Sequence, residues 1–347
     1  MLTMYVDGPR WRAHLKSVAG PDEGLVPVAK GNGYGFGLGR LAEQAAELGR
    51  DTVAVGTYAE VAEVGEMFPG SVMVLSPWRP FETRASYDPR LVHTVGRIED
   101  LASLATAGSA SGGRPRVVLE LLTSMRRHGF TPRALREAAA HLDGLQVEGF
   151  ALHLPLGTGS HLGEVHRLMT DVVASGIDAR TVFVSHLTPG ELTTLRTSYA
   201  DFELRPRVGT KLWLGDRAAL DVRSTVLDVH QVEHGDVFGY RSRSAPKHGW
   251  IVIVSGGTAH GIGLEAPTGG ATMRDRAVRV AKGGLDAAGF VRSPFTIDGK
   301  QRLFAEPPHM QASMLFLPAG AQVPAVGTEV AVQVRFTTTQ FDRITIS

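Results

Sequence analysis

Val26-Pro27-Val28-Ala29-Lys30-Gly31-Asn32-Gly33-Tyr34-Gly35-Phe36-Gly37 runs from an apolar, β-rich segment through a lysine into a loop in which every second residue is glycine. Leu41, Ala45 and Leu48 follow at helical spacing, so the stretch reads as strand, loop, helix. The same unit recurs down the chain. Leu25–Lys30, Thr52–Gly56, Val72–Leu75, Leu91–Val95, Arg116–Leu121, Val147–His153, Thr181–Ser185 and Glu203–Arg207 form eight β-rich runs, most of them separated by helix-period segments. Eight βα units predict an α/β fold, a (β/α)8 TIM-like barrel. The Gly-, Ser- and Ala-rich stretch Ala107–Arg114 lies inside this repeat and reads as a surface loop rather than a domain linker.

Beyond Ala218 the texture changes to short alternating runs (Arg223–Val229, Val237–Arg241, Trp250–Val254, Glu329–Phe336) broken by Gly, Pro and His. A mostly β C-terminal domain is expected there, dividing the chain into 1–217 and 218–347. Length agrees: 347 residues with 43% hydrophobic and 20% charged exceed one ordinary core. Thirty-six Lys and Arg against thirty-five Asp and Glu leave +1, too little field for phosphate backbones or anionic lipid, so neither nucleic acid nor membrane is an expected partner. Zero cysteines remove disulfides, thiolate zinc sites and a cysteine nucleophile. Met1–Val6 is too short an apolar run for a signal peptide, which makes the cytoplasm the expected compartment. Forty-one glycines, against about 24 at an average usage near 7%, mark a backbone that turns tightly and comes close to something.

Barrel active sites gather at the C-terminal strand ends. Those ends are polar here: Lys30 on the first run, Glu120 on the fifth with Arg126-Arg127-His128 after it, His153 on the sixth, Ser185-His186 on the seventh and Arg207 on the eighth. A lysine closing an apolar strand either snorkels to the rim or is held as a desolvated amine able to form a Schiff base. The glycines beside it favour close approach of a ligand. They lack the Lys-Ser/Thr of a Walker loop and the spacing of a dinucleotide fingerprint. Pyridoxal 5′-phosphate fits better, since it needs a Schiff-base lysine, a phosphate cradle and a group beside the ring nitrogen. No metal-ligand set is expected.

Val28–Gly37 resembles the pyridoxal-lysine signature V-K-A-[DN]-A-Y-G-H-G of the alanine racemase family. Thr123-Ser124-Met125-Arg126-Arg127-His128-Gly129-Phe130 is similar to that family's T-G-M-N-R-L-G-F, and Arg207-Val208-Gly209-Thr210-Lys211-Leu212-Trp213 to its R-P-G-I-A-L-Y. The resemblance implies a barrel followed by a β domain, a homodimer and an amino-acid substrate. It implies that Lys30 holds the cofactor and that Tyr34, with the backbone of Gly209 and Thr210, holds the phosphate. Arg207 would face the pyridine nitrogen, Arg127 would approach the ring hydroxyl and substrate carboxylate, and His153 would lie near the ring. Glu120 stands where typical members carry a carbamylated lysine, and is expected to pair with Arg127.

The chain departs from the pattern in places. The family's G-Y-A-D-G, whose tyrosine is the second base supplied by the partner subunit, reads Gly257-Thr258-Ala259-His260-Gly261. Thr258 replaces the phenol, and His260 is the expected substitute base. No tyrosine follows Tyr240, C-M-D-Q appears as His309-Met310-Gln311-Ala312, and the seventh-strand N-S pair is replaced around His186-Leu187-Thr188-Pro189-Gly190. The expected activity is a pyridoxal-phosphate racemase or epimerase at an amino-acid α-carbon, poor on alanine, with Lys30, Arg127 and His260 catalytic. A decarboxylase or aldolase on the same scaffold and a non-catalytic cofactor-binding relative are the alternatives.

Overall fold

The computed structural model describes residues 1–81, 88–157, 159–264 and 291–347. In chain order the elements are β1 (Leu2–Val6), α1 (Gly8–Ala19), β2 (Val26–Pro27), α2 (Leu38–Glu47), β3 (Thr52–Val55), α3 (Val61–Met67), β4 (Ser71–Val74), β5 (Leu91–Val95), α4 (Ile98–Ala110), β6 (Arg116–Leu121), α5 (Pro132–Ala138), β7 (Gln146–His153), α6 (Leu162–Ala174), β8 (Thr181–Ser185), α7 (Pro189–Ser198), β9 (Glu203–Val208) and α8 (Thr210–Leu214). A β-rich remainder follows: β10 (Leu220–Val232), β11 (Val237–Phe238), β12 (Arg243–Ser244), β13 (Gly249–Ser255), β14 (Arg292–Ile297), β15 (Lys300–Phe304), β16 (Ala312–Pro318), β17 (Glu329–Val332) and β18 (Arg343–Ile346).

Strands β2–β9 are the eight runs read from the sequence, joined in parallel in the order β2-β9-β8-β7-β6-β5-β4-β3. The ring closes where Val28 bridges Ala54, with Ala29 N–H donating to Ala54 O at 2.8 Å. Alternate side chains then face opposite sides. Val26, Val28, Ala54, Met73, Val92, Val118, Ala151 and Phe183 fill the barrel interior, while Val117, Leu119, Phe150, Leu152, Val182 and Val184 pack outward against helix residues such as Leu101, Leu135 and Met169. The helices supply that second core because their apolar residues fall on one stripe, as Leu38, Leu41, Ala42 and Ala45 do on α2. Half of the expected loop Ala107–Arg114 is helical, since α4 continues to Ala110.

The chain divides into a unit of Ala13–Gly215 and a unit of Met1–Arg12 with Asp216–Ser347. The first twelve residues therefore depart from the expectation that put them in the barrel. The eight barrel positions are taken, and β1, with Leu2, Met4 and Val6 buried, pairs antiparallel with β10 and parallel with β18. In that unit β10 pairs β13 as well as β17, which closes β13-β16-β15-β14-β17-β10 into a six-stranded ring. The thirteen residues of β10 make this double use feasible. The expected strand at Val237–Arg241 shrinks to a two-residue pairing of β11 with β12.

One carboxylate ties the loop after β7 to the start of α7. Glu191 Oε1 accepts from His161 N–H (2.7 Å) and Ser160 Oγ (2.9 Å), and its Oε2 accepts from Thr188 N–H and Thr188 Oγ1, both at 2.9 Å. These donors pull its pKa from 4.5 down to about 2, the Thr188 backbone bond contributing most. A depressed folded pKa stabilises the native state above pH 4.5, and that contribution fades as pH falls toward 2. Glu191→Gln should accordingly lower stability at neutral pH and flatten the acid limb of denaturant-unfolding midpoints measured across pH 2–5; an unchanged limb would contradict the assignment.

Candidate active site

Strand parity decides what enters the barrel mouth. Two residues beyond the inward-facing Val28, Val118, Ala151 and Phe183 stand Lys30, Glu120, His153 and Ser185, on the inward side at the C-terminal ends. Arg207 occupies the matching place on β9 and is buried, its Nη2 donating to Leu152 O at 3.3 Å.

Lys30 opens the glycine loop. Solvent reaches its side chain, yet desolvation of the amine, with Arg127 and Arg207 nearby, holds its pKa below the lysine norm; Glu60 pulls the other way. Glu60 is a residue the sequence reading passed over. Its carboxylate accepts from Gly31 N–H (3.0 Å) and Gly56 N–H (2.6 Å), tying the loop after β2 to the loop after β3. Tyr34 sits in the left-handed region (φ 55°, ψ 27°), a conformation few non-glycine residues adopt outside functional loops. Its buried hydroxyl bonds Thr210 and has a pKa raised to about 12 by burial. Trp213 Nε1–H donates to Val28 O at 2.8 Å, which pins α8 beside β2 and brings Gly209 against the tyrosine ring.

The opposite wall carries the charges. Burial pushes the Glu120 carboxyl above its ordinary pKa, against the pull of Arg207 and, more weakly, Arg127. The expected Glu120–Arg127 pairing is corrected: no hydrogen bond or ion pair joins them among the described residues, Glu120 Oε2 has no partner, and Arg207 is its stronger cationic neighbour. Arg127 itself is exposed, on a loop anchored where Ser124 N–H and Oγ meet Glu164 at 2.6 and 2.8 Å. Burial lowers the Arg207 pKa to about 10, Glu120 opposing the fall and Arg127 adding to it. Its Nε has no partner. His153 Nδ1 lies 3.2 Å from Ser185 Oγ and its ring is T-shaped to His186 at 5.3 Å. Burial, then Arg207 and Arg127, take the His153 pKa to about 3, and burial with Arg207 lowers that of His186. Both imidazoles are neutral at physiological pH, so the mouth holds a cationic surplus of Lys30, Arg127 and Arg207 over Glu120 and Glu60, suited to an anionic ligand. Thr188 differs from the others, since its hydroxyl caps α7 and bonds Glu191.

Thr258 and His260 belong to the other unit. His260 is buried with both ring nitrogens engaged: Nδ1 accepts from Gly257 N–H at 3.2 Å and Nε2 lies 3.0 Å from Asp342 Oδ1. A base needs a free lone pair. The Gly257 donor occupies it, which corrects the expectation that His260 is the substitute base; the ring clamps its turn to the C-terminal segment. Thr258 is exposed, its N–H donating to His309 O at 2.8 Å.

The model of the alanine racemase N-terminal domain matches residues 11–197, more than half of the chain. The chain belongs to the alanine racemase family. Within the family, the alanine racemase of Desulforamulus reducens is 32% identical over 146 residues, 40% of this chain and 39% of that protein. That of Leptothrix cholodnii is 29% identical over 283 residues, covering 72% and 71%. Among solved structures, the Bartonella henselae alanine racemase with covalently bound pyridoxal phosphate superposes with a TM-score of 0.72 at 15% identity, over 99% of each chain. The enzyme from Streptomyces lavendulae gives 0.73 at 19%, over 100% and 97%. These likenesses establish the fold. No helix among the described residues is long and apolar enough to cross a membrane.

A Cβ at Gly209 would lie 2.1 Å from Tyr34 Oη and 2.9 Å from its Cζ. Gly209→Ala should therefore destabilise by about 1–3 kcal/mol, the range of overpacked cores, and Tyr34→Phe in the same chain should return part of it. A double-mutant cycle by urea unfolding measures the coupling; additive effects would refute the close approach.

Proposed function

We propose that this chain binds pyridoxal 5′-phosphate through Lys30 and moves the α-hydrogen of an amino acid other than alanine, in a racemase- or epimerase-like reaction, as a homodimer. The observation that carries the reading is the unpartnered Nε of buried Arg207 at the inward end of β9. A buried donor without an acceptor costs about 1–3 kcal/mol, and a pyridine nitrogen is the acceptor that would remove this cost. The rest of the mouth fits the same group. Lys30 has a lowered pKa and so a larger share of nucleophilic free amine. The Tyr34 hydroxyl, Thr210 and the Gly209–Thr210 backbone offer donors to a phosphate, and the cationic surplus suits both that phosphate and a substrate carboxylate.

Held there, the cofactor supplies an electron sink for the pair left behind when the α-hydrogen departs. Arg207, whose guanidinium keeps its own proton, would seat the ring through Nε–H without strengthening that sink. Nζ of Lys30 takes or returns the proton on one face, and Arg127 orients the carboxylate. His153, neutral and bonded to Ser185, buttresses this wall without adding charge. Thr258 supports the exclusion of efficient alanine racemisation, because an alcohol is far too weak an acid to stand in for a phenol. The homodimer rests on the family resemblance, in which the partner supplies the second base.

Purified protein given pyridoxal phosphate should develop the visible absorbance of a Schiff base, and borohydride should fix the cofactor to Lys30, with Lys30→Ala losing both. Alanine interconversion should be weak and should rise in Thr258→Tyr. An unlabelled Lys30 in saturated protein overturns the binding mode, vigorous alanine racemisation by the unmodified chain overturns the substrate assignment, and a monomer by light scattering overturns the assembly.

A further inference from the structure

We infer that Glu60 is the positioning residue of Lys30: its carboxylate, held by backbone amides of the loops after β2 and β3, fixes the loop that begins at the lysine and keeps beside the amine a negative charge with which the amine does not pair. This inference rests on the role proposed above for Lys30, and adds to it a residue that no motif in the sequence marked.

The barrel has a seam where β2 meets β3. Strand β2 pairs with β9 over Val26 and Pro27, but it meets β3 through the isolated bridge of Val28 to Ala54. Lys30 stands two residues past that bridge. Glu60, half-buried, supplies ties beyond it. Its Oε1 accepts from Gly31 N–H at 3.0 Å, in the peptide unit that follows the lysine, and its Oε2 accepts from Gly56 N–H at 2.6 Å and Thr57 N–H at 3.3 Å. A Cβ on Gly56 would come within 3.1 Å of Lys30 Cβ and within 3.1 and 3.2 Å of the two Glu60 oxygens. The stem of the lysine and the carboxylate therefore meet over the same bare face of Gly56.

An amine bonded directly to a carboxylate holds its proton and loses its nucleophilic lone pair. Glu60 avoids that outcome because both of its oxygens are committed to amides. Among the described residues neither a hydrogen bond nor an ion pair joins it to Lys30, so its pull acts through space, against the burial, Arg127 and Arg207 that lower the lysine pKa. The other titratable groups facing this amine are His153 and His186, whose pKa values Lys30 helps to lower. Tyr34 also senses the carboxylate, which adds to the rise of its pKa. Glu60 thus opposes two arginines at one amine. Free, Nζ keeps its lone pair for attack on a carbonyl; protonated, as when it has taken the α-proton, it has an anion nearby.

Removing an anion from beside an amine disfavours its charged form, so an electrostatic role and a purely mechanical one move Lys30 in opposite directions. In the full chain without cofactor, the pH dependence of trace acetylation, read by mass spectrometry with exposed Lys300 as internal reference, gives the Lys30 midpoint. Glu60→Gln should lower that midpoint by about 0.5–1 pH unit, the scale of one charge acting across a partly solvated site. Glu60→Asp, which keeps the charge but shortens its reach to the two loops, should recover most of the difference. A carboxylate that merely stapled the loops would let Lys30 swing into water once either substitution loosened them, and the midpoint would rise in both variants. Such a rise, or an unchanged midpoint in Glu60→Gln, overturns the inference. The unmodified chain offers a measurement that needs no variant: 13C NMR of the Glu60 carboxyl should show an inflection at the Lys30 midpoint, and a resonance blind to it also overturns the inference. None of these readouts uses the cofactor. A Lys30 that titrates as stated but is left unlabelled by borohydride overturns the proposed function and not the role of Glu60, while the converse result leaves cofactor attachment standing.

Discussion

Closing eight parallel strands into a ring forces every second side chain inward, and most of the site follows from that single constraint. Small and branched residues such as Val28, Ala54, Val118 and Ala151 fill the floor. One pleat further along, where each strand leaves the ring, the same parity delivers Lys30, Glu120, His153, Ser185 and Arg207. The floor keeps water out from below, so charges at the mouth interact across a medium of reduced dielectric and influence one another strongly. The chain brings its chemistry together by counting in twos.

Electrostatics then sorts those groups. Burying a guanidinium is costly unless it is paired, and Arg207 gains its compensation from Glu120. That leaves Arg127 exposed on its loop, with no ion pair among the described residues. Burial, with the cations adding to it, also holds the pKa values of His153 and His186 below the histidine norm. Two polar atoms in this wall, Arg207 Nε and Glu120 Oε2, have no partner. Buried atoms of that kind are rare in folded proteins and are tolerated where something else completes them.

The second unit shows how little a residue type says about its use. His260 and His309 each face a carboxylate at one ring nitrogen. The other nitrogen of His260 receives a backbone N–H, so the ring acts as a fastener for the turn at 257–261. His309 instead lines a concavity with Tyr240 and Met310. The amide that engages His260 belongs to Gly257, at a turn where a Cβ would run into the carbonyls of His309 and Met310.

The barrel was legible in the sequence because its signals are local. Eight β-rich runs with helix-period segments between them specify strands and helices directly, and all eight appear in register within a few residues. The positions of Lys30, Glu120, His153 and Arg207 were legible for a related reason, since a residue at the end of an apolar run stands at a strand end, whereas Tyr34 in the following loop was singled out by the family resemblance. The β unit was less so. β18 owes its existence to β1, more than three hundred residues earlier in the chain, and β1 lies more than two hundred residues from the β10 segment it pairs with. The sequence by itself determined which residues reach the barrel mouth, because covalent order and the two-residue pleat settle that. Only the tertiary structure decided who pairs with whom there, that Glu120 answers to Arg207 and that Gly209 yields to Tyr34; in the other unit it decided that both nitrogens of His260 are engaged. Those outcomes depend on distances between segments remote in the chain, and no local pattern encodes them.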